Sequence, residues 1–338
     1  MPQDTLAGMS NRAETSKEMQ LSTVGTDHDD VLPVLHDWLQ RGRAAALVTL
    51  VNIEGSAPRP LGAQMAVAAD GAFAGYITGG CAEAAVAEEA RKAIREGSNR
   101  TVRYGAGSPF VDIRLPCGSG IDVYIDAAPD ADAVGRIVET IRARRPAAML
   151  IDTERHKTTA IAPDETEQEP ASAFLRLYEP ATRLLAIGKG PVFTALAQLA
   201  SAAGFEVAAM SPEQDRLAAL ESVCAHLKPM KRPGESFPAE LDAWTAAALL
   251  FHEHEWEPPA LEMLLESDCF YIGALGSKRT HAERCALLAE RGVTQKALSR
   301  IRGPIGFDIG AKSPEEIAVA TLAEVVAARR AAPAPEAQ

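Results

Sequence analysis

Two short stretches of the chain set a cysteine among glycines: Thr78-Gly79-Gly80-Cys81 and Leu115-Pro116-Cys117-Gly118-Ser119-Gly120. Glycine lets a backbone approach a ligand closely, and the unpaired N–H groups of a helix start attract anions. The alanine- and glutamate-rich run from Cys81 to Glu96 predicts a helix directly after the first stretch. The field at a helix start lowers a thiol's pKa and favours the thiolate, the form that ligates soft metals or attacks sulfur. A cysteine at a helix start is also often just a small buried side chain. Its recurrence beside glycines in a second loop is harder to ascribe to packing.

Gly55-Ser56-Ala57-Pro58-Arg59-Pro60-Leu61-Gly62 is a stiff loop in which Arg59 stands between prolines. Little entropy is lost when that guanidinium meets a phosphate or carboxylate; a crossover loop with a surface arginine fits equally well. Ile187-Gly188-Lys189-Gly190 follows an apolar run and opens a helical one, the location of a dinucleotide fingerprint. Phe193 replaces the third glycine, and Ser211 stands where a ribose-binding acid is expected. A phosphate fits the Gly188–Gly190 turn, but the missing groups speak against tight NAD(P) binding. In Gly273-Ala274-Leu275-Gly276-Ser277-Lys278-Arg279-Thr280-His281, Ser277 can cap a helix whose first turn holds two cations. Cations oppose the helix dipole there, which makes sense if an anion is bound; a solvated basic helix start is the plainer account. Pro304 to Gly310 forms another glycine-bearing loop. His252-Glu253-His254-Glu255 lacks the H-E-x-x-H spacing and predicts no dedicated zinc site.

The elements that must position these loops fall into two groups. Helices are expected over Asp29–Arg41 and Ala131–Arg144, strands over Ala45–Ile53, Thr101–Tyr104, Ile121–Ile125 and Ala147–Ile151. Gln64–Ala69 and Ala72–Ile77 flank Asp70-Gly71 as a hairpin. The polar stretch Glu154–Pro170 shows the weakest periodicity. From Arg183 onward strand-like runs (Leu184–Ile187, Glu206–Met210, Ala246–Phe251, Cys269–Ile272) alternate with helical ones (Pro191–Ala203, Glu257–Glu266, Lys278–Glu290, Glu315–Ala328). Such alternation predicts a doubly wound parallel sheet. The expected division is a disordered leader over 1–28, a first domain over 29–180, a Rossmann-like second domain over 181–331 and a loose tail over 332–338.

The 338 residues are 47% hydrophobic and 24% charged, ordinary for a globular chain with a sizeable core. A net charge of −12 argues against a nucleic-acid partner and is compatible with a homodimer. No apolar run reaches the roughly 18 residues that span a bilayer, so no membrane partner is expected. The leader lacks the apolar stretch of a signal peptide. Five cysteines without a C-x-x-C pair point to reduced thiols and a cytoplasmic address.

Taken in order, the motifs resemble the XdhC/CoxI family of molybdenum-enzyme accessory proteins. The matching pieces are Gly55 to Gly62, Gly79-Gly80-Cys81-x-Glu83, Cys117-Gly118-x-Gly120-x-Asp122, Tyr271 to His281 and Pro304 to Pro314. The resemblance implies an N-terminal α+β domain and a Rossmann-like C-terminal domain. It implies a chaperone that binds and protects molybdenum cofactor (molybdopterin, in a mononucleotide or cytosine dinucleotide form) and assists its sulfuration with a cysteine desulfurase. Delivery to a xanthine dehydrogenase or aldehyde oxidase-type apoenzyme follows. On this reading Ser56, Arg59, Gly79, Gly80, Cys81, Glu83, Cys117, Gly118 and Gly120 form the first-domain site. Cys81 and Cys117 would be the soft metal ligands. Gly188, Gly190, Gly276, Ser277, Lys278 and Arg279 would hold a further phosphate. An NAD(P)-dependent oxidoreductase, or a docking protein without bound cofactor, stands as the alternative.

Overall fold

A computed structural model describes residues 31–80, 82–108, 119–162, 173–251 and 255–331. The expected leader and tail, Cys81, Cys117, Gly118 and His252 to His254 lie outside the described residues. The chain divides into two compact units after Glu179.

In the first unit, α1 (Leu32–Gln40) leads into β1 (Ala45–Glu54), β2 (Gln64–Ala68), β3 (Phe73–Gly75), α2 (Glu83–Glu96), β4 (Arg100–Gly105) and β5 (Gly120–Asp126). The five strands form one sheet in the order β3-β2-β1-β5-β4, with every neighbour antiparallel. The hairpin expected around Asp70-Gly71 forms, and the Asp70 carboxylate accepts the Ala72 N–H at 3.1 Å. α2 covers one face, burying Val86 and Ala90 with Val48, Leu50 and Tyr104. The other face packs Leu47 and Tyr124 against Leu32 and Leu35 of α1 and Val134 of α3 (Ala131–Arg142). Cover on both faces explains why Ala45 to Leu50 is uniformly apolar rather than alternating, apart from the buried Thr49.

A second, three-stranded antiparallel sheet joins β6 (Ala147–Asp152), β7 (Lys157–Ile161) and β8 (Ala173–Tyr178) in the order β7-β6-β8. Met149, Ile151 and Tyr178 enter the same apolar cluster as α1 and α3. A buried polar chain adds to the contact. The Tyr178 hydroxyl donates to Gln64 Oε1 at 3.0 Å, and Gln64 Nε2 donates to Thr49 Oγ1 at 3.0 Å. β7 lies within the polar stretch of weakest periodicity. As a half-exposed edge strand it is held by its ladder to β6 and needs no apolar alternation.

In the second unit, β9 (Arg183–Gly188), α4 (Gly190–Ala202), β10 (Glu206–Ser211), α5 (Gln214–Ala218), β11 (His226–Pro229) and β12 (Thr245–Leu250) come first. α6 (Glu257–Leu265), β13 (Tyr271–Ala274), α7 (Lys278–Glu290), α8 (Gln295–Leu298), β14 (Ile301–Arg302) and α9 (Pro314–Ala331) follow. All six strands are parallel in the order β11-β10-β9-β12-β13-β14, the 3-2-1-4-5-6 arrangement of a Rossmann fold. α4 and α9 share one apolar cluster with the sheet, and α6, α7 and α8 share another. β11 and β14 escape the sequence reading because short edge strands carry little apolar signal. β13 begins at Tyr271, two residues later than expected, since Tyr271 is the partner of Ala246. No helix of the described residues is long and apolar enough to cross a membrane.

Candidate functional site

The loops of the first unit meet at one end of β1 and β5. Glu54, the last residue of β1, pairs with Gly120, the first of β5, so the loop leaving β1 and the one entering β5 are neighbours. A methyl group on Gly55 would lie 3.2 Å from Ser119 Cβ, and one on Gly79 would lie 3.9 Å from Pro58. The Gly55–Gly62 loop thus touches both the residue that follows Gly118 and the turn that precedes Cys81. At its far end the Gly62 N–H returns to the Leu50 carbonyl at 2.8 Å, closing the excursion between β1 and β2. Within the loop Ser56 is exposed and Arg59 half-buried. Gly79 and Gly80 are both exposed, with φ of 76° and 112°.

The turn before α2 is organised by Glu83. Its carboxylate accepts the N–H groups of Ile77, Thr78, Gly80 and Ala82 at 3.1, 2.7, 2.8 and 3.2 Å, and the Thr78 hydroxyl at 2.7 Å. The residue is only 5% exposed. Burial opposes its charge, but the donors from Thr78 and the backbone outweigh it and hold the carboxyl below its usual range. The helix itself starts at Glu83, two residues beyond Cys81. Glu83 therefore fixes the backbone on either side of Cys81, a role that sequence spacing does not disclose.

Beside these loops lies a charge cluster of which the motifs name only Asp122. The Arg103 guanidinium donates to Asp122 at 3.1 Å, to the Ala106 carbonyl at 2.8 Å and to Glu54. Asn52 Nδ2 donates to Asp122 at 2.8 Å. A methyl group on Gly120 would stand 2.6 Å from Arg103 Nη2 and 2.8 Å from the Ala106 carbonyl, which is why glycine opens β5. Only the pairing of β5 with both β1 and β4 reveals the cluster. Asn52 and Asp122 also border an open cleft of about 650 Å³, walled by Arg100, Thr101, Thr153, His156 and Phe174. The glycine loops do not line it.

In the second unit, a methyl group on Gly188 would lie 2.5 Å from the Leu250 carbonyl, so close strand packing requires glycine there. Gly190 has φ of 80° and open space above it. Its N–H donates to Glu213 at 2.8 Å, and the Glu213 N–H donates to Ser211 Oγ at 3.0 Å. Ser211 ends the strand, as read from the sequence, and Glu213, two residues later, turns back onto the glycine turn. Phe193 is fully buried and fills space between helix and sheet where the fingerprint has glycine.

Ser277 caps α7 as expected, accepting the Thr280 N–H at 3.1 Å. Gly276 passes close to the Thr280 side chain, and Lys278 and Arg279 are exposed. Arg279 is ion-paired to Glu283 at 2.8 Å along the helix. The cation that shapes this loop is Arg284, which is buried. It donates to the Leu275 carbonyl at 2.7 Å and forms a two-pronged pair with Glu257 at 3.0 Å. The described first-unit residues thus gather at one strand end; in the second unit Gly188 and Gly190 lie at the end of β9, and Gly276 to Arg279 follow β13.

Residues 184–325 match the family described as the XdhC Rossmann domain, and residues 38–105 match the XdhC and CoxI family. The molybdenum cofactor insertion chaperone PaoD of Escherichia coli (strain K12) is 34% identical over 303 residues, covering 90% of this chain and 89% of that protein. A probable xanthine dehydrogenase subunit from Bacillus subtilis (strain 168) is 26% identical over 336 residues, 86% of this chain and 95% of that protein. In fold, the chain resembles the crystal structure of a xanthine dehydrogenase from Bacillus halodurans, with a TM-score of 0.73 at 23% identity. The match covers 88% of this chain and 95% of that one.

Proposed function

The chain belongs to the XdhC and CoxI family, and on that premise we propose that it is a cytoplasmic maturation chaperone for a molybdoenzyme of the xanthine dehydrogenase or aldehyde oxidase type. The molybdenum cofactor is its cargo. The chain would bind it, shield it, assist its sulfuration alongside a cysteine desulfurase and hand it to the apoenzyme. The observation that carries this reading is the meeting of the Gly55–Gly62 loop with Gly79 and Ser119, the neighbours of the two cysteine-bearing segments.

A pterin that carries a phosphate and a metal calls for rigid anion-binding loops and soft ligands. Ser56, Arg59 and the Gly79 N–H would take the phosphate, with Gly80, whose own N–H is held by Glu83, allowing close backbone approach. Cys81 and Cys117 would supply thiolates, with Gly118 and Gly120 allowing close approach. Glu83 positions the turn rather than touching the cargo. In the second unit Gly188, Gly190, Gly276, Ser277, Lys278 and Arg279 would hold a further phosphate.

Anaerobic purification from a cofactor-producing host, with assays for molybdenum and fluorescent oxidised pterin, tests the proposal. Near-stoichiometric pterin is expected in the parent and loss of molybdenum in Cys81→Ala; a variant that retains and transfers cofactor like the parent ends the thiol assignment. The Glu213 contact with Gly190 favours a second reading, an NAD(P)-dependent oxidoreductase. Saturable NAD(P) binding without pterin would select it.

A further inference from the structure

Helix α9 buries one side and leaves the other open. Ala318, Thr321 and Val325 are buried, and Ala318 and Val325 join the apolar cluster that includes α4. On the opposite side Val319 and Val326 are 52% and 46% exposed. Ala323 is exposed as well, and Leu322, at the border of this side, is half-buried and packs in part against the same apolar cluster. At 3.6 residues per turn these four share one stripe. Glu315 begins the stripe and Arg330 ends it, both exposed. Glu316 is already engaged, since its carboxylate accepts the Lys312 and Ser313 N–H groups at 2.7 and 3.0 Å.

The stripe is self-complementary. Glu315 and Arg330 stand equally far from the peptide bond between Leu322 and Ala323, and so do Val319 and Val326. We infer that α9 is the contact helix of a two-fold homodimer in which two copies cross antiparallel at that bond. A two-fold axis there sets Glu315 against Arg330 of the partner subunit, and the same pair recurs at the other end. Val319 then meets the partner's Val326, and Leu322 fits over the small Ala323 of the partner subunit. This is the self-matching that an isologous contact demands. Opposite charges at the two ends fix the antiparallel sense, because a parallel pairing would set Glu315 beside a second Glu315. The 18-residue helix spans about 27 Å. A single helix pair of that length lies at the small end of specific interfaces, so dissociation in the micromolar range, roughly 1–100 µM, follows.

Sedimentation equilibrium of the full chain, from about 1 to 200 µM, tests the pairing. The parent is expected to pass from monomer to dimer across that range. Glu315→Arg alone and Arg330→Glu alone each set like charges together at both ends, and each should weaken the dimer by about tenfold or more. An equimolar mixture of the two variants restores opposite charges at both ends and should re-form a dimer with near-parental affinity. A parent that stays monomeric at 200 µM overturns the inference. So does a dimer indifferent to either reversal, or a mixture no tighter than its components. Far-UV circular dichroism confirms that the variants fold. If a reversal unfolds the domain, Val319→Ser serves instead, with about fivefold weakening expected and an unchanged dimer counting against the contact.

Discussion

Two glycine turns in this chain are each met by a glutamate, and the two contacts differ in kind. In the first unit Glu83 is buried and collects five donors from Ile77, Thr78, Gly80 and Ala82. In the second, Glu213 accepts the Gly190 N–H, lies 3.7 Å from Arg216 and keeps 41% of its side chain exposed. A buried carboxylate with that many donors is part of the scaffold, because its removal strands donors away from water. An exposed one is a placeholder, because water can take its place at little cost. The first turn is therefore built in advance, and the second is only lightly held.

The largest test of this contrast is Glu83→Ala, expected to lower stability by about 3 kcal/mol in urea unfolding through the loss of charge-assisted bonds and the stranding of their donors. Acid should erase part of that difference. The folded-state pKa of Glu83 lies below its usual value, so its contribution is complete above the unfolded pKa and is lost as pH falls through the folded one. Unfolding curves from pH 7 down to pH 3 should show parent and Glu83→Ala converging; a constant gap would mean that the charge is irrelevant. Gly188→Ala should cost about 2 kcal/mol by thermal or urea unfolding, because the added methyl collides with the Leu250 carbonyl. Glu213→Ala should cost less than about 0.5 kcal/mol, since water replaces an exposed acceptor. A loss there as large as that of Glu83→Ala would collapse the distinction between scaffold and placeholder.

The two regions are also unequally legible in the sequence. Glycine next to cysteine or after a strand-like run announces a turn with spare N–H groups, so the loops themselves can be found. Long apolar runs such as Leu184 to Ile187 and Ala246 to Phe251 make the parallel sheet readable. Contacts between distant positions are not. Arg103 and Asp122 become partners only because β4 pairs with β5, and Arg284 reaches Glu257 only because α7 packs on α6. Glu213 escapes notice because an acid is expected at the strand end, whereas a two-residue overhang brings it back to Gly190. Glu83 stands out through the family motif, but its carboxylate serves its own backbone.

The Tyr178–Gln64–Thr49 chain has a consequence for how faithfully the first unit folds. All five residues of β2 are buried, so no inside-outside alternation tells that strand how to align with β1. Gln64 supplies the missing instruction. A slip by one residue would swing its amide to the opposite face and leave the Thr49 and Tyr178 hydroxyls buried without it, a penalty that Ala66 or Ala68 could never impose. One polar side chain thus works as an indexing pin. Because β2 ends the Gly55–Gly62 excursion, the pin also sets how much chain that loop contains and where Arg59 can stand.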